Sequence, residues 1–470
     1  MDLTARHQVD FPADEHGRRS SAAFGRSVVA AALRAADPAA ADAAAAEPDW
    51  RRGYLRHFRA LVEVGLRDDG GAGYAVASAG LAAVRDRLPL EKVLAAEPDR
   101  PLRTITVEGT GTPEREVTLP YRGDLLRGAA LDRQLAAWVE AGTIEPSCAD
   151  AVREVADHPE WLDLADQRLV VLGAGAEMGP LPAVLGWGGT VLGIDLPDAA
   201  IWRRVTGLAE RAAGRLLLPA RGDQPGADLL DELGAVARWL EAAEGPTILG
   251  DYVYAPGAAY TRLSVAVDAL AGHLRDRREH LALAVLATPT DVFAVPGEAV
   301  AQANDRWRAR SRRARLTAAL SGGRLLAPNY PVDADPGLND SLVVQQGPNY
   351  ALAKRIQRWR ATLARREGVV SFAVAPPTRT RSVTRNRLLA AAYAGAHRFG
   401  IEVFAPSTAN KLMAILLVHQ IRKPRPAGAA AWRDETVAAA HGGLWRTAYL
   451  PRSALGLAAV RGFVPGRPGH

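Results

Sequence analysis

The sequence is poor in several things, and each shortage narrows its class. Cys148 is the only cysteine in 470 residues, which excludes an internal disulfide, a zinc site built on cysteines and an iron–sulfur cluster. A lone thiol fits a reducing, cytoplasmic setting. Lysine is nearly as scarce: Lys92, Lys354, Lys411 and Lys423 are the only ones among 58 basic residues. The remaining basic residues are arginine, and the heavy Ala and Gly usage beside them has the look of a GC-rich coding sequence. The net charge of +6 is therefore not read as a sign of nucleic-acid binding. The run Arg306 to Arg315, with Trp307 inside it, reads as a solvated helix face that could also meet an anionic part of a substrate.

No stretch reaches the ~18 apolar residues of a membrane span, and Leu412 to Val418 is too short. No apolar segment precedes Arg18–Arg19, so no signal peptide is expected. The ten His are scattered, and His273 and His280 lack a flanking acid pattern, so no metal site is expected. Neither a Gly-x-Ser-x-Gly elbow nor a Walker A sequence is present, which leaves hydrolase and phosphoryl-transfer readings without an anchor.

What is present is ordinary for a globular chain: 48% apolar and 23% charged residues. Residues 1–48 read as a weakly ordered, Ala-rich arm that could also form a short helix. Residues 49–160 read as a mainly helical accessory domain. Trp50 to Leu66 and Ala75 to Leu88 have helical spacing, as do Leu131 to Val139 and Ala149 to Val155. Thr104 to Val107 and Glu116 to Leu119 alternate around Gly109-Thr110-Gly111 and predict a hairpin. From 166 to 425, seven short apolar runs alternate with helical stretches. They are Arg168–Leu172, Thr190–Ile194, Arg215–Pro219, Thr247–Gly250, Leu281–Leu286, Val369–Val374 and Ile401–Phe404. That alternation predicts an α/β fold, a doubly wound and mostly parallel sheet with helices on both faces. Residues 296–340 read as an insertion, and 426–470 as a C-terminal extension.

Two motifs carry chemistry. In Val170-Val171-Leu172-Gly173-Ala174-Gly175-Ala176-Glu177-Met178-Gly179-Pro180 an apolar strand runs into a glycine turn. Gly173 permits a sharp turn, Gly175 admits a phosphate close to backbone, and Pro180 suits a first helical turn. Asp195 ends the next strand 20 residues after Gly175, where an acid can accept hydrogen bonds from a ribose diol. Both NAD(P) and S-adenosylmethionine would use such an acid. The second motif is Gly347-Pro348-Asn349-Tyr350-Ala351-Leu352-Ala353-Lys354. Tyr350 and Lys354 lie four apart on one helix face, and an ammonium beside a phenol lowers its pKa toward the working range.

On these residues, and on Ala375-Pro376-Pro377-Thr378-Arg379-Thr380 after the sixth run, the segment 166–425 resembles the short-chain dehydrogenase/reductase superfamily. The resemblance implies a Rossmann sheet binding NAD or NADP, with Gly173, Gly175 and Gly179 around the pyrophosphate and Asp195 at the adenosine ribose. An acid at 195 tilts the choice to NAD, although Arg203 and Arg204 could reverse it. It also implies Asp223 near adenine, Ala255 and Gly257 in the loop after the fourth strand, and Pro376 and Thr378 around the nicotinamide. Tyr350 would be the general acid/base, with Lys354 lowering its pKa and holding the nicotinamide ribose. Thr288 would orient the oxygen of a small-molecule carbonyl or alcohol substrate, with an anionic or carrier-linked substrate among the candidates. Members commonly pair into oligomers through helices that correspond to Leu263 to Leu274 and Ile356 to Leu363. The chain departs from the pattern in its GxGxxxG spacing, in lacking an Asn pair after the fourth strand, and in having no Asn between Asp251 and Val300. Two rival readings follow: an S-adenosylmethionine-dependent methyltransferase, and a non-catalytic nucleotide-binding or scaffold protein.

Overall fold

The computed structural model describes residues 9–96 and 100–463. Its centre is an eight-stranded sheet: β1 (Arg103–Glu108), β2 (Arg168–Leu172), β3 (Thr190–Ile194), β4 (Arg215–Arg221), β5 (Gln224–Pro225), β6 (Thr247–Asp251), β7 (Leu281–Ala287) and β8 (Val370–Val374). The order is β1-β4-β3-β2-β6-β7-β8, with the short β5 folded back on β4. Strands β4, β3, β2, β6, β7 and β8 run parallel, and β1 closes one edge antiparallel to β4. Counted along the chain, the six parallel strands lie 3-2-1-4-5-6. Chain direction across the sheet therefore reverses between β2 and β6.

Buried residues alternate along the strands, so each face has its own core. Val170, Leu172, Leu192, Leu249, Leu283, Val285 and Phe372 face one core. Leu169, Val171, Val191, Leu216, Ile248 and Ala373 face the other. The first core is covered by α1 (Ser21–Arg34), α2 (Trp50–Gly65), α3 (Ala72–Arg87), α4 (Ala258–Arg275) and α5 (Pro348–Ala364). The second is covered mainly by α6 (Pro406–Arg422), with the helices Gly128–Glu140, Pro146–Asp157 and Ala199–Arg211. The α/β architecture and the mostly parallel sheet agree with the sequence.

Several expectations are corrected. From residue 21 the N-terminal arm is mostly helical, in Ser21–Arg34 and Pro38–Ala45: Ser20 caps α1 by accepting from the Ala23 amide, and Phe24, Val28 and Leu33 are buried. Residues 49–160 are divided between the two cores, and no break in packing marks position 160. The hairpin is not formed as expected, because β1 pairs with β4. Gly109 seats against the chain beyond that edge, where a Cβ would lie 2.2 Å from Ala212 O. The hairpin that does form joins Leu119–Tyr121 to Asp124–Leu126. The seventh run is not a strand. Phe404 makes a single bridge to Thr378, and Pro376 and Pro377 have no N–H with which to continue a ladder.

Residues 296–340 form two helices, Gly297–Arg308 and Arg312–Leu320, and a return strand, Gly337–Asp340, that pairs with Val292–Val295. The helices expected to join subunits are covered by the chain itself. Ile356, Trp359, Leu270 and Leu274 are buried in the core that α1, α2 and α3 complete. Gly80 of α3 meets the Trp359 ring, and a Cβ there would lie 2.5 Å from it.

Candidate active site

The carboxyl ends of the parallel strands bring most of the expected residues into one crevice. Gly173 follows β2 with φ +88°, and a Cβ there would sit 2.8 Å from Tyr252 O, so glycine is required at this turn. Asp195, at the end of β3, closes the same turn from the other side. Its Oδ2 accepts from the Gly175 amide at 2.7 Å and its Oδ1 from the Leu196 amide at 2.8 Å. Burial pushes its carboxyl above the usual range, with those two amides opposing. Arg204 Nη2 donates to Gly175 O at 2.7 Å, so of the two arginines considered for cofactor choice this one reaches the turn.

Gly179 has ordinary space around it and no positive φ, and its carbonyl accepts from Asn410 of α6. The following helix, Leu181–Gly186, is only six residues long. Pro180 precedes it as the capping residue, and Pro182 rather than Pro180 occupies its first turn.

Asp223 is not brought to the crevice. β4 runs on to Arg221 and turns back into β5, which leaves the Asp223 carboxyl on an exposed turn 3.6 Å from Arg103. The chain returns to the end of β3 at Gly226 and Ala227, where the Ala227 amide donates to Asp195 O at 2.9 Å. The half-buried acid beside Ala227 is Asp228, raised above the usual range by burial. Gly226, with φ +103°, was the sequence signal for that return.

Beyond β6, Ala255 is half-buried, and Gly257 opens α4 at φ +62° with open space where a side chain would stand. After β8, Pro376 and Thr378 are buried, and the Thr378 hydroxyl donates to Pro376 O at 2.8 Å. The next residues reach across the crevice. The Arg381 amide donates to Glu177 Oε2 at 2.8 Å, and its side chain pairs with the same carboxylate at 3.2 Å. The loop after β8 thus roofs the glycine turn.

The Tyr350 helix starts where the sequence places it. Gly347 takes φ +81° and Pro348 occupies the first helical position. Thr288 stands near the Tyr350 phenol, and its Oγ1 sits 2.9 Å from Thr290 Oγ1. Tyr260 of α4 packs against Tyr350 with ring centroids 5.6 Å apart, and Tyr254 packs on Tyr260 at 5.4 Å. Burial raises the Tyr350 phenol above its ordinary value, with Thr288 opposing. This is the reverse of the expected lowering.

Lys354 is engaged elsewhere. Its ammonium donates to Leu286 O at 3.1 Å and to Gln357 Oε1 at 2.9 Å. The Gln357 amide in turn donates to Asp251 Oδ1 at 3.1 Å. Burial brings Lys354 down to about 8, while Asp251 and Asp291 oppose. Burial brings Asp251 up to about 6, while Lys354 opposes. Asp251, Gln357 and Tyr260 were missed from sequence, although an acid closing the apolar strand Thr-Ile-Leu-Gly-Asp repeats the Asp195 signal.

Among the described residues no group of three or more His, Cys, Asp or Glu could hold a metal, and no helix is long and apolar enough to cross a membrane. No known protein family and no curated protein matches this chain.

Proposed function

We propose that the chain is a Rossmann-type, nicotinamide-dependent oxidoreductase acting on a carbonyl/alcohol pair. The observation that carries this reading is the placing of Tyr350 near Thr288 after β7, with Tyr260 packed on Tyr350 at 5.6 Å and Lys354 Nζ 5.9 Å from the Tyr260 ring. The crevice at the strand-order reversal between β2 and β6 is where open parallel sheets take dinucleotides. The residues present fit such a cofactor. Gly257 leaves backbone bare beyond β6, and Asp195 keeps free lone pairs on both oxygens, since each accepts one bond. Lys354 would hold the ribose at the nicotinamide end, and the negative charge of Asp195 disfavours a 2′-phosphate, which keeps the tilt to NAD. When bound, the cofactor supplies the hydride.

The protein's own residues do the rest. Thr288 donates to the substrate oxygen and orients it. Tyr350, kept protonated by its buried position, gives that oxygen a proton as negative charge develops there. A raised phenol stays protonated but is a weaker acid, so this shift sets no direction for the reaction. Tyr260, buried against Tyr350, shields that side of the phenol from water. Tyr350→Phe tests this: turnover of a carbonyl substrate should fall by about 10²–10⁴-fold while cofactor binding persists.

A second reading is favoured by one observation. The Gly175 amide is donated to Asp195 Oδ2 at 2.7 Å, which takes away a donor that a phosphate would need and suits a non-catalytic scaffold on this fold. The methyltransferase reading leaves the placing of Tyr350 near Thr288 without a purpose. A melting-temperature shift with S-adenosylmethionine alone would restore it.

A further inference from the structure

The helix Arg312–Leu320 shows its larger apolar side chains to solvent. Ser311 fixes its start by accepting from the Ala314 amide at 3.2 Å, yet none of its residues is buried. Half-burial falls on its small side, at Ala314, Thr317 and Ala318. Arg312, Arg315, Leu316, Ala319 and Leu320 recur at the i, i+3, i+4, i+7, i+8 spacing of one helix face, and all are exposed. Leu316 is 59% exposed and Leu320 81%. A helix that served only its own core would turn these leucines inward. Exposed apolar groups gathered on one face mark an interaction surface.

The charge around the leucines is of one sign. From Arg306 to Val332 the chain carries seven arginines and no Asp or Glu. Among the described residues only Arg308 of these seven pairs with a carboxylate, Asp305 at 2.8 Å. Arg310 and Arg315 donate to carbonyls at the end of the preceding helix, Trp307 O at 2.6 Å and Arg308 O at 3.0 Å. Arg312 and Arg313 occupy the first two helical positions, with no acid in that turn. Cations there oppose the positive end of the helix dipole. The free protein therefore carries a local cost that a bound anion would relieve.

We propose that this face docks on an anionic lipid bilayer and makes the chain a peripheral membrane-binding protein. The guanidinium groups would meet lipid phosphates, and Leu316 and Leu320 would enter the boundary with the acyl chains, as interfacial helices do. Charge alone would suit any polyanion. The leucines decide between them, because a phosphodiester backbone offers an apolar side chain nothing, whereas a bilayer surface rewards both kinds of residue. The helix is already formed and capped, so binding carries no cost of helix nucleation. The proposal stands apart from the dehydrogenase reading, since it uses no residue of the crevice.

The test is co-sedimentation of the full chain with vesicles of phosphatidylcholine alone and of phosphatidylcholine mixed equally with phosphatidylglycerol. The chain should sediment with the mixed vesicles only, and added salt should weaken that binding. Arg312→Glu combined with Arg313→Glu should lower the affinity ~30-fold, about fivefold for each cation removed. The melting temperature of that variant should hold or rise, because acids suit a first helical turn. Leu316→Ser combined with Leu320→Ser should lower the affinity about tenfold. Arg51→Glu, at an exposed arginine of α2, should have neither effect. Sedimentation with neither vesicle, equal sedimentation with both, or wild-type affinity in either double variant would overturn the proposal. A loss with Arg51→Glu as large as with the arginine pair would also overturn it, by showing that bulk charge is what counts. So would tighter binding to a DNA duplex or to polyglutamate that the leucine variant leaves unchanged, which would give the face to a soluble polyanion.

Discussion

Helix α5 carries two buried charge clusters at adjacent positions around its axis, Lys354 with Gln357 and Arg355 with Arg358, and they behave in opposite ways. Asp291 touches two guanidinium groups directly, Arg355 at 3.0 Å and Arg358 at 2.6 Å, and Arg358 also holds Glu435 at 2.7 Å. Despite its burial, Asp291 lies below the usual carboxylate range, held there by Arg355 and Arg358. Asp251 and Lys354 instead meet through an amide, and burial moves them toward neutrality, to about 6 and about 8. Direct, multiple pairing locks charge in place, whereas indirect pairing leaves groups able to titrate near neutral pH. The locked cluster ties α5 to the segment after β7 and to the C-terminal segment at Glu435. The poised cluster stands at the proposed site, where perturbed groups are expected to gather.

The comparison breaks first at the locked cluster. Arg358→Ala removes the partner of Glu435 and leaves Asp291 with Arg355 alone, and chemical denaturation should show a loss of ~3–5 kcal/mol. At Gly173, Ala would need φ near +88° and would press on Tyr252 O. Gly173→Ala should cost ~1–3 kcal/mol in the same assay and weaken cofactor binding.

The poised cluster should reveal itself through pH. Asp251 is raised from 3.8 to about 6, so between those values the folded state holds a proton that the unfolded state has released. Stability from this group therefore falls as pH rises from about 4 to 6. Lys354 is lowered from 10.5 to about 8. The unfolded state holds more protons between those values, and stability from this group rises with pH from about 8 to 10. The difference in unfolding midpoint between wild type and Asp251→Asn should follow the first slope, and a flat difference across pH 4–6 would contradict the assignment. Asp291 should show the reverse sign, its contribution fading only as pH falls below the usual carboxylate range. The smallest effect belongs to Asp223→Asn, which should leave cofactor affinity at the wild-type value in a binding titration, because this carboxyl stands on an exposed turn.

The sheet was legible because strands buried on both faces leave near-continuous apolar runs, as Arg168–Leu172 and Thr190–Ile194 do. The glycine turn and the Tyr350 helix were legible for local reasons: Gly173 and Gly347 adopt positive φ, and Pro348 starts a helix. Partnerships between distant segments left no local mark. Alternation in Thr104 to Val107 shows a half-buried strand but not its partner, so β1 was assigned to a neighbouring hairpin when it pairs with β4. The run Ile401–Phe404 is apolar because Phe404 packs in the second core, without joining a ladder. The Tyr350–Lys354 spacing placed both residues on one helix, but the lysine's true partners, Gln357 and Asp251, depend on how α5 seats over β6. Burial, which sets the direction of both pKa shifts, is a property of the assembled core.

The central claim is that the crevice at β2 and β6 takes a nicotinamide dinucleotide for chemistry at Tyr350. Its most direct test is a titration with NADH that follows the melting temperature of wild type and of Tyr350→Phe. A ligand that binds only the native state raises the Tm by RT ln(1 + [L]/Kd). The account predicts a saturable rise with NADH in both proteins. A rise with S-adenosylmethionine alone, or no rise with NADH, would contradict it.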